Sequence, residues 1–324
     1  MAIAFLAVGV VKSGGYPERY SFNFNTLQLA DRDKSQDKLK CEDLDRKKYP
    51  ELKNLPVGDM CIIGDRTTEP SVVIWGDSHV DMYGTGFDRL LREWGRAAYF
   101  LRVGACPPIL DVERIDKADH CSRFNWSVFE LIAASKSVDT VVIGGRFALF
   151  MYGRYDNGEG GKEFGSELLY ESLSRDQGEG RIDGVMREFR ETLAALQAEG
   201  KKLVLLYPVP EVGLNVPSTL TKTLLRGQSF THSYEQYLKR QAEVIAALDA
   251  VGGDVFRIFP DTILCVRDSG RCEVQRDGVI FYHDDNHLTA TAAEMVLDTY
   301  APALGRFLAG KQAARLPHSG AEPG

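Results

Sequence analysis

The chain has 324 residues, enough to bury one large core or two small ones. Its 44% hydrophobic and 26% charged residues fit an ordinary soluble globular protein. A formal net charge of −7, with no basic stripe interleaved with aromatics, argues against a nucleic-acid-binding surface.

In chain order, Ala2 to Val11 is apolar and ends at Lys12-Ser13-Gly14-Gly15. A bilayer span needs about 20 apolar residues, so this piece is too short to cross alone. It also lacks the charged leader of a signal peptide. Residues 1–12 are therefore read as the stub of a last transmembrane helix, with a short buried helix or strand as the alternative. As a stub it would tether the rest on the outer, periplasmic side of a cytoplasmic membrane. Residues 13–55 are polar, carry the charged stretch Asp31 to Lys40, and read as a linker and irregular cover tied down by Cys41. The main domain is expected over residues 56–310, with a polar tail over 311–324.

Within that domain, apolar strand candidates are Val72 to Trp75, Tyr99 to Val103, Thr140 to Gly144, Leu203 to Tyr207 and Val255 to Phe259. Helical patterns fall at Val80 to Trp94, Asn125 to Ser135, Ile182 to Glu199, Ser233 to Ala250 and Ala290 to Leu308. Strands alternating with helices predict an α/β fold, a flavodoxin-like doubly wound sandwich around a mostly parallel five-stranded sheet. Ligands in such sheets bind beyond the carboxyl ends of the strands. Two long connections, Tyr152 to Arg181 and Pro208 to Thr231, follow strands and would rise over that edge.

Six cysteines form three near-neighbour couples, and none has the Cys-x-x-Cys form of a structural zinc site. Six cysteines allow fifteen pairings; sequential pairing, Cys41–Cys61, Cys106–Cys121 and Cys265–Cys272, closes three local loops. That pattern favours an oxidising compartment. Reduced, buried cysteines in a cytosolic protein are the alternative.

The chemistry begins where Val72-Val73-Ile74-Trp75 runs into Gly76-Asp77-Ser78-His79. A buried strand that delivers a serine into a turn before a helical pattern presents a nucleophilic hydroxyl, and N–H groups at a helix start can stabilise developing negative charge. A glycine turn closed by an N-cap serine is the alternative. Near the other end, Asp284 and His287 stand three apart just before the last helical pattern. A serine needs a base to take its proton, and the base needs a carboxylate to fix its tautomer. Ser78, Asp284 and His287 are the candidate catalytic residues. Asp77 is read as stabilising the turn through backbone N–H groups. His283, Asp284, Asp285 and His287 could also mimic a metal cluster; no metal is expected, since Ser78 would then have no role.

Gly76-Asp77-Ser78 and Asp284-Asp285-Asn286-His287 resemble the first and last motif blocks of the SGNH (GDSL-like) hydrolases. The closer resemblance is to the SGNH domain fused to acyltransferase family 3 membrane proteins, which O-acetylate bacterial surface polysaccharides. His79, Gly104-Ala105-Cys106-Pro107-Pro108, Tyr207-Pro208-Val209-Pro210-Glu211 and Asp284-Asp285-Asn286-His287-Leu288 carry it, over roughly residues 41 to 308. The resemblance implies an acyl-serine on Ser78, with His287 as base and Asp284 as its orienter. It implies oxyanion donors at the Ser78 and Gly104 backbone N–H groups. The third block departs from the pattern: Ile143-Gly144-Gly145-Arg146-Phe147 has no asparagine, and Arg146 is the candidate replacement donor or else pairs with a nearby acid. His79 is expected either to contact an acceptor or to pack beside Trp75.

The function implied is transfer of acetyl groups to hydroxyls of a cell-surface glycan. No cofactor is expected in this domain; the acetyl group would come from a fused or separate acyltransferase family 3 transmembrane partner. A carbohydrate esterase using the same three residues is the first alternative. A non-catalytic glycan-binding module is the second.

Overall fold

The apolar runs assemble into one six-stranded sheet in the computed structural model of the protein, which describes residues 24–39, 41, 60–115, 121–165, 167–226, 228 and 230–311. The expected stub over 1–12 lies outside the described residues, as does the polar tail except Lys311; of the 13–55 segment only 24–39 and Cys41 lie inside. The strands are β1 (Met60–Gly64), β2 (Pro70–Gly76), β3 (Ala97–Arg102), β4 (Thr140–Gly144), β5 (Lys202–Leu206) and β6 (Val255–Ile258), in the spatial order β1-β3-β2-β4-β5-β6. The last five are parallel and correspond to the five predicted strands.

The expectation of five strands is corrected by β1, which pairs antiparallel with β3 from Met60 opposite Leu101 to Gly64 opposite Ala97. All five of its residues are buried, so it extends the core while covering an edge that would otherwise present unpaired N–H and C=O groups. Chain order 2, 3, then 4 places β3 and β4 on opposite sides of β2. The carboxyl end of β2 is thus the point where the connections diverge, the usual ligand crevice of an open α/β sheet.

Val73, Ile74, Trp75, Val141, Ile143, Val204 and Leu205 are fully buried. Continuous apolar runs are what strands covered on both faces require. The polar edge of Trp75 is accommodated: its Nε1–H donates to Asn125 Oδ1 at 3.1 Å. Asn125 in turn donates to the carbonyls of Pro107 and Ile109, so the same residue fixes the loop after β3.

The covering helices are α1 (Gly84–Glu93), α2 (Cys121–Ala134), α3 (Arg181–Ala198), α4 (Tyr234–Asp249) and α5 (Ala290–Leu308). Ser233 caps α4 and Thr289 caps α5, each by accepting an N–H of the first turn, a contribution of about 1 kcal/mol apiece. The helix predicted over Val80 to Trp94 is split: one turn spans Ser78–Asp81, and α1 restarts at Gly84. The sequence Gly84-Thr85-Gly86 has weak helix propensity, and both glycines are tightly packed. Among the described residues no helix is long and apolar enough to cross a membrane.

The irregular cover has structure of its own. Helix Phe24–Arg32 buries Leu27 and Ala30, and the Asp33 carbonyl accepts the Ala290 N–H at the start of α5. The three expected disulfides are present, and they join the N-terminal segment to β1, the loop after β3 to α2, and two strands of a small sheet. Both long connections carry regular elements: Tyr170–Ser172 pairs with Val112–Arg114, and 216–224 is a helix.

Candidate active site

Ser78 follows Gly76 and Asp77 directly off the end of β2. Gly76 does not adopt a left-handed conformation; it is needed for space. A Cβ there would lie 2.3 Å from a Val80 methyl and 2.4 Å from the Gly144 carbonyl of β4. The close approach of β2 and β4 is what lets the chain turn so sharply.

Asp77 ties this turn together. Its Oδ1 accepts the His79 N–H at 2.7 Å, capping the helical turn that Ser78 opens, and its Oδ2 accepts the Arg146 N–H at 2.8 Å from the turn after β4. Burial pushes its carboxyl up to about 6, against the pull of those two N–H groups. The turn-stabilising reading of Asp77 holds in this geometry. Because the helix at Ser78 is a single turn, its dipole is smaller than a helix reaching Trp94 would supply. Negative charge on a substrate would then be met chiefly by individual N–H groups.

The second half of the site is the loop before α5. Asp284 Oδ1 accepts the backbone N–H of Asn286 at 2.9 Å and of His287 at 2.7 Å, while its Oδ2 lies 2.7 Å from His287 Nδ1. An ionised carboxylate can only accept, so Nδ1 carries the hydrogen. His287 Nε2 is then left as an acceptor, and it lies 2.8 Å from Ser78 Oγ. Burial alone would raise the Asp284 pKa; the hydrogen bond and charge of His287 overcome that and hold it below the ordinary carboxylate range. Ser78, His287 and Asp284 are therefore brought together across 209 residues of chain, in a geometry that can move the serine proton onto an imidazole. All three are half-buried, so a substrate can reach them.

Two other expectations change. His79 is 4% exposed, and its Nε2 pairs with Asn286 Oδ1 at 2.9 Å. Its ring lies against that of His287, with centroids 4.9 Å apart. Burial, then the neighbouring His287 and Arg146, hold its pKa well below normal. Arg146 is also buried: Nε donates to Glu211, and the two terminal nitrogens donate to Glu163 at 2.9 and 2.7 Å. Its guanidinium is committed to carboxylates and is not poised as an oxyanion donor, which corrects that assignment in favour of the acid-pairing one. Gly104 is exposed in the turn after β3, next to the end of β2 where Arg102 lies opposite Gly76.

His283 stacks on His287 at 5.4 Å with an interplanar angle of 6°, and its Nδ1 lies 3.6 Å from Asp284 Oδ2. The ligating atoms of His283, Asp284 and His287 fall within 4.8 Å of one another. A metal held there would compete with the Asp284–His287 hydrogen bond, so the donor set fits proton transfer better than resident metal binding. The residues that sequence reasoning left without roles are Asn286, Glu163 and Glu211. Asn286 and Glu211 stand inside quoted motifs, but their partners are distant in sequence.

A family model described as SGNH domain (fused to AT3 domains) matches residues 40–302. No protein among the curated ones matches. Among solved structures, a candidate acylhydrolase from Bacteroides fragilis is similar at 11% identity and a TM-score of 0.37, covering 81% of this chain and 97% of that one. The chain belongs to the SGNH family, as a domain of the kind found fused to AT3 domains, and its chemistry is acyl-group hydrolysis or transfer.

Proposed function

We propose that the protein transfers acetyl groups to hydroxyls of a bacterial cell-surface polysaccharide through an acyl-serine on Ser78. The observation that carries this reading is the continuous relay from Ser78 Oγ through His287 to Asp284 at the carboxyl end of β2. Ser78 Oγ attacks the acyl carbonyl carbon and its proton passes to His287 Nε2, which delivers it to the departing group. A sugar hydroxyl then gives its proton to His287 and attacks the acyl-serine carbonyl. The Ser78–acyl bond breaks, and His287 returns the proton to Ser78. Asp284 stabilises the imidazolium in both halves. The Ser78 and Gly104 N–H groups are the oxyanion donors in this reading, each worth about 2.7–4 kcal/mol if well placed.

The acyl donor is supplied, in this proposal, by an acyltransferase family 3 transmembrane domain, fused or separate, and the domain works in the periplasm. Family membership and the three disulfides support the partner and the oxidising compartment. One observation favours the esterase alternative: the His287 and Asp284 side chains are 23% and 30% exposed, so water can approach the same intermediate. Incubating the protein with an acetyl ester and a purified surface polysaccharide tests the choice. Transfer predicts acetylated glycan in excess of free acetate; acetate alone, at the same rate with or without glycan, would favour the esterase.

A further inference from the structure

We propose that Arg146 is a positioning residue that holds the Ser78 turn and the Asp284–His287 loop in register, from the place where the SGNH pattern expects an asparagine. The inference rests on the catalytic reading above. Two paths leave this one residue. Its backbone N–H runs to Asp77 Oδ2, and the other oxygen of Asp77 holds the His79 N–H, so the residues on either side of Ser78 are tied to each other and to the turn after β4 through one carboxylate. Its guanidinium runs the opposite way, to Glu211. Immediately after Glu211, the N–H groups of Val212 and Gly213 both donate to the Asp285 carbonyl at 3.0 Å, and that of Val216 donates to the Asp284 carbonyl at 3.0 Å. Few covalent and hydrogen bonds therefore separate Arg146 from each half of the relay.

A third tie stiffens the second path. Glu163, in the Tyr152 to Arg181 connection, grips the guanidinium with both oxygens and also takes Arg154 at 2.6 Å and the Tyr155 N–H at 3.2 Å. From the same connection, Asn157 Nδ2 donates to the Val212 carbonyl at 2.7 Å. The guanidinium thus joins the turn after β4, the connection over Tyr152 to Arg181 and the connection over Pro208 to Thr231. A planar fork with several fixed donors suits this three-way junction; a lysine ammonium, a point charge, does not.

Loss of the guanidinium need not unfold the protein. Glu163 keeps Arg154, and Glu211 keeps Arg240 of α4, which also holds the Gly153 carbonyl at 2.7 Å. The expected loss is of alignment more than of fold.

Labelling of Ser78 by an alkyl fluorophosphonate tests this without an identified acceptor. The Ser78 Oγ–P bond forms, the P–F bond breaks, fluoride leaves, and the serine proton passes through His287 to solvent. Wild type, Arg146→Met, Arg146→Lys and, as a control, Arg187→Met are compared at a temperature where circular dichroism shows each folded. Arg187 forms its own ion pairs with Glu179 and Glu188, away from this junction. Both Arg146 variants should label about 10- to 100-fold more slowly than wild type, the cost of a small misplacement of reacting groups. Arg187→Met should label at the wild-type rate. If Arg146→Met does not fold, Glu211→Gln carries the same expectation. A folded Arg146→Met or Glu211→Gln that labels as fast as wild type overturns the proposal.

Hydrogen exchange supplies a readout independent of catalysis. In Arg146→Met, backbone amides of 76–82 and 282–289 should lose protection together; unchanged protection in both segments would also overturn the proposal. A wild-type protein that fails to label, with the exchange result as expected, would count against the acyl-serine reading and leave the positioning role standing.

Discussion

Asp284 holds His287 at two points, accepting its backbone N–H on one carboxylate oxygen and its ring Nδ1–H on the other, each at 2.7 Å. One side chain thus fixes both the place of the residue and the rotation of its ring. Asp284→Asn would present an amide N–H₂ toward the ring and invert the tautomer. Turnover should fall by about 10⁴-fold, as when a triad aspartate becomes asparagine, while the fold persists. Steady-state kinetics on an aryl acetate check this; a loss smaller than tenfold would mean that the tautomer is set by something else.

Asp77 and Asp284 should leave opposite marks on stability against pH. The folded pKa of Asp77, about 6, lies above its unfolded value, so the folded state holds the proton more tightly. Its contribution is greatest at low pH and is lost as pH rises from about 4 to about 6, amounting to about 3 kcal/mol. The folded pKa of Asp284 is depressed, so its contribution is present above the unfolded value and lost as pH falls through the folded one. Urea unfolding of wild type and Asp77→Asn at pH 4, 5, 6 and 7 isolates the first effect. Wild-type stability relative to Asp77→Asn should decline between pH 4 and 6 and then level off. A difference that does not change with pH would contradict the raised pKa.

Gly76 and Gly104 make a contrasting pair. An added Cβ at Gly76 meets a Val80 methyl and the Gly144 carbonyl at under 3 Å, whereas at Gly104 nothing lies within 4 Å. Gly76→Ala should cost about 1–3 kcal/mol or more and displace Ser78. Gly104→Ala keeps its backbone N–H and should retain both stability and turnover. Thermal unfolding and esterase rates on the two variants check the contrast, and equal damage at both positions would contradict it.

The five parallel strands were legible because each is a short, mostly apolar run set between helical patterns, most plainly Val72 to Trp75 and Val141 to Ile143, which are buried on both faces. Strand β1 was not, although Met60 to Gly64 is as long and as apolar as β4: no helical pattern separates it from β2, so it falls outside the strand–helix alternation that marked the others. Ser78, Asp284 and His287 could be read because each stands at a punctuation point: the end of a strand or the start of a helix. Arg146 could not be assigned, because its role depends on Glu163 and Glu211, 17 and 65 residues away. The pairing of His79 likewise involves Asn286, which lies 207 residues along the chain.

The Cys106–Cys121 bridge closes a loop of 15 residues between the turn after β3 and α2. Replacing both cysteines with serine should cost about 3 kcal/mol in the chain-entropy description. Urea unfolding of the double variant against wild type measures it; an unchanged midpoint would indicate that neighbouring contacts, including those of Asn125, already hold this loop.

The most direct measurement is the intact mass of the protein, quenched in acid shortly after mixing with an activated acetyl ester and then mapped by peptide digestion. An acetyl-sized gain located on Ser78 in wild type, absent in Ser78→Ala and retained longer in His287→Gln once formed, is the predicted result. Turnover of the ester by Ser78→Ala at the wild-type rate, or an acetyl group mapped to any other residue during turnover, would contradict it.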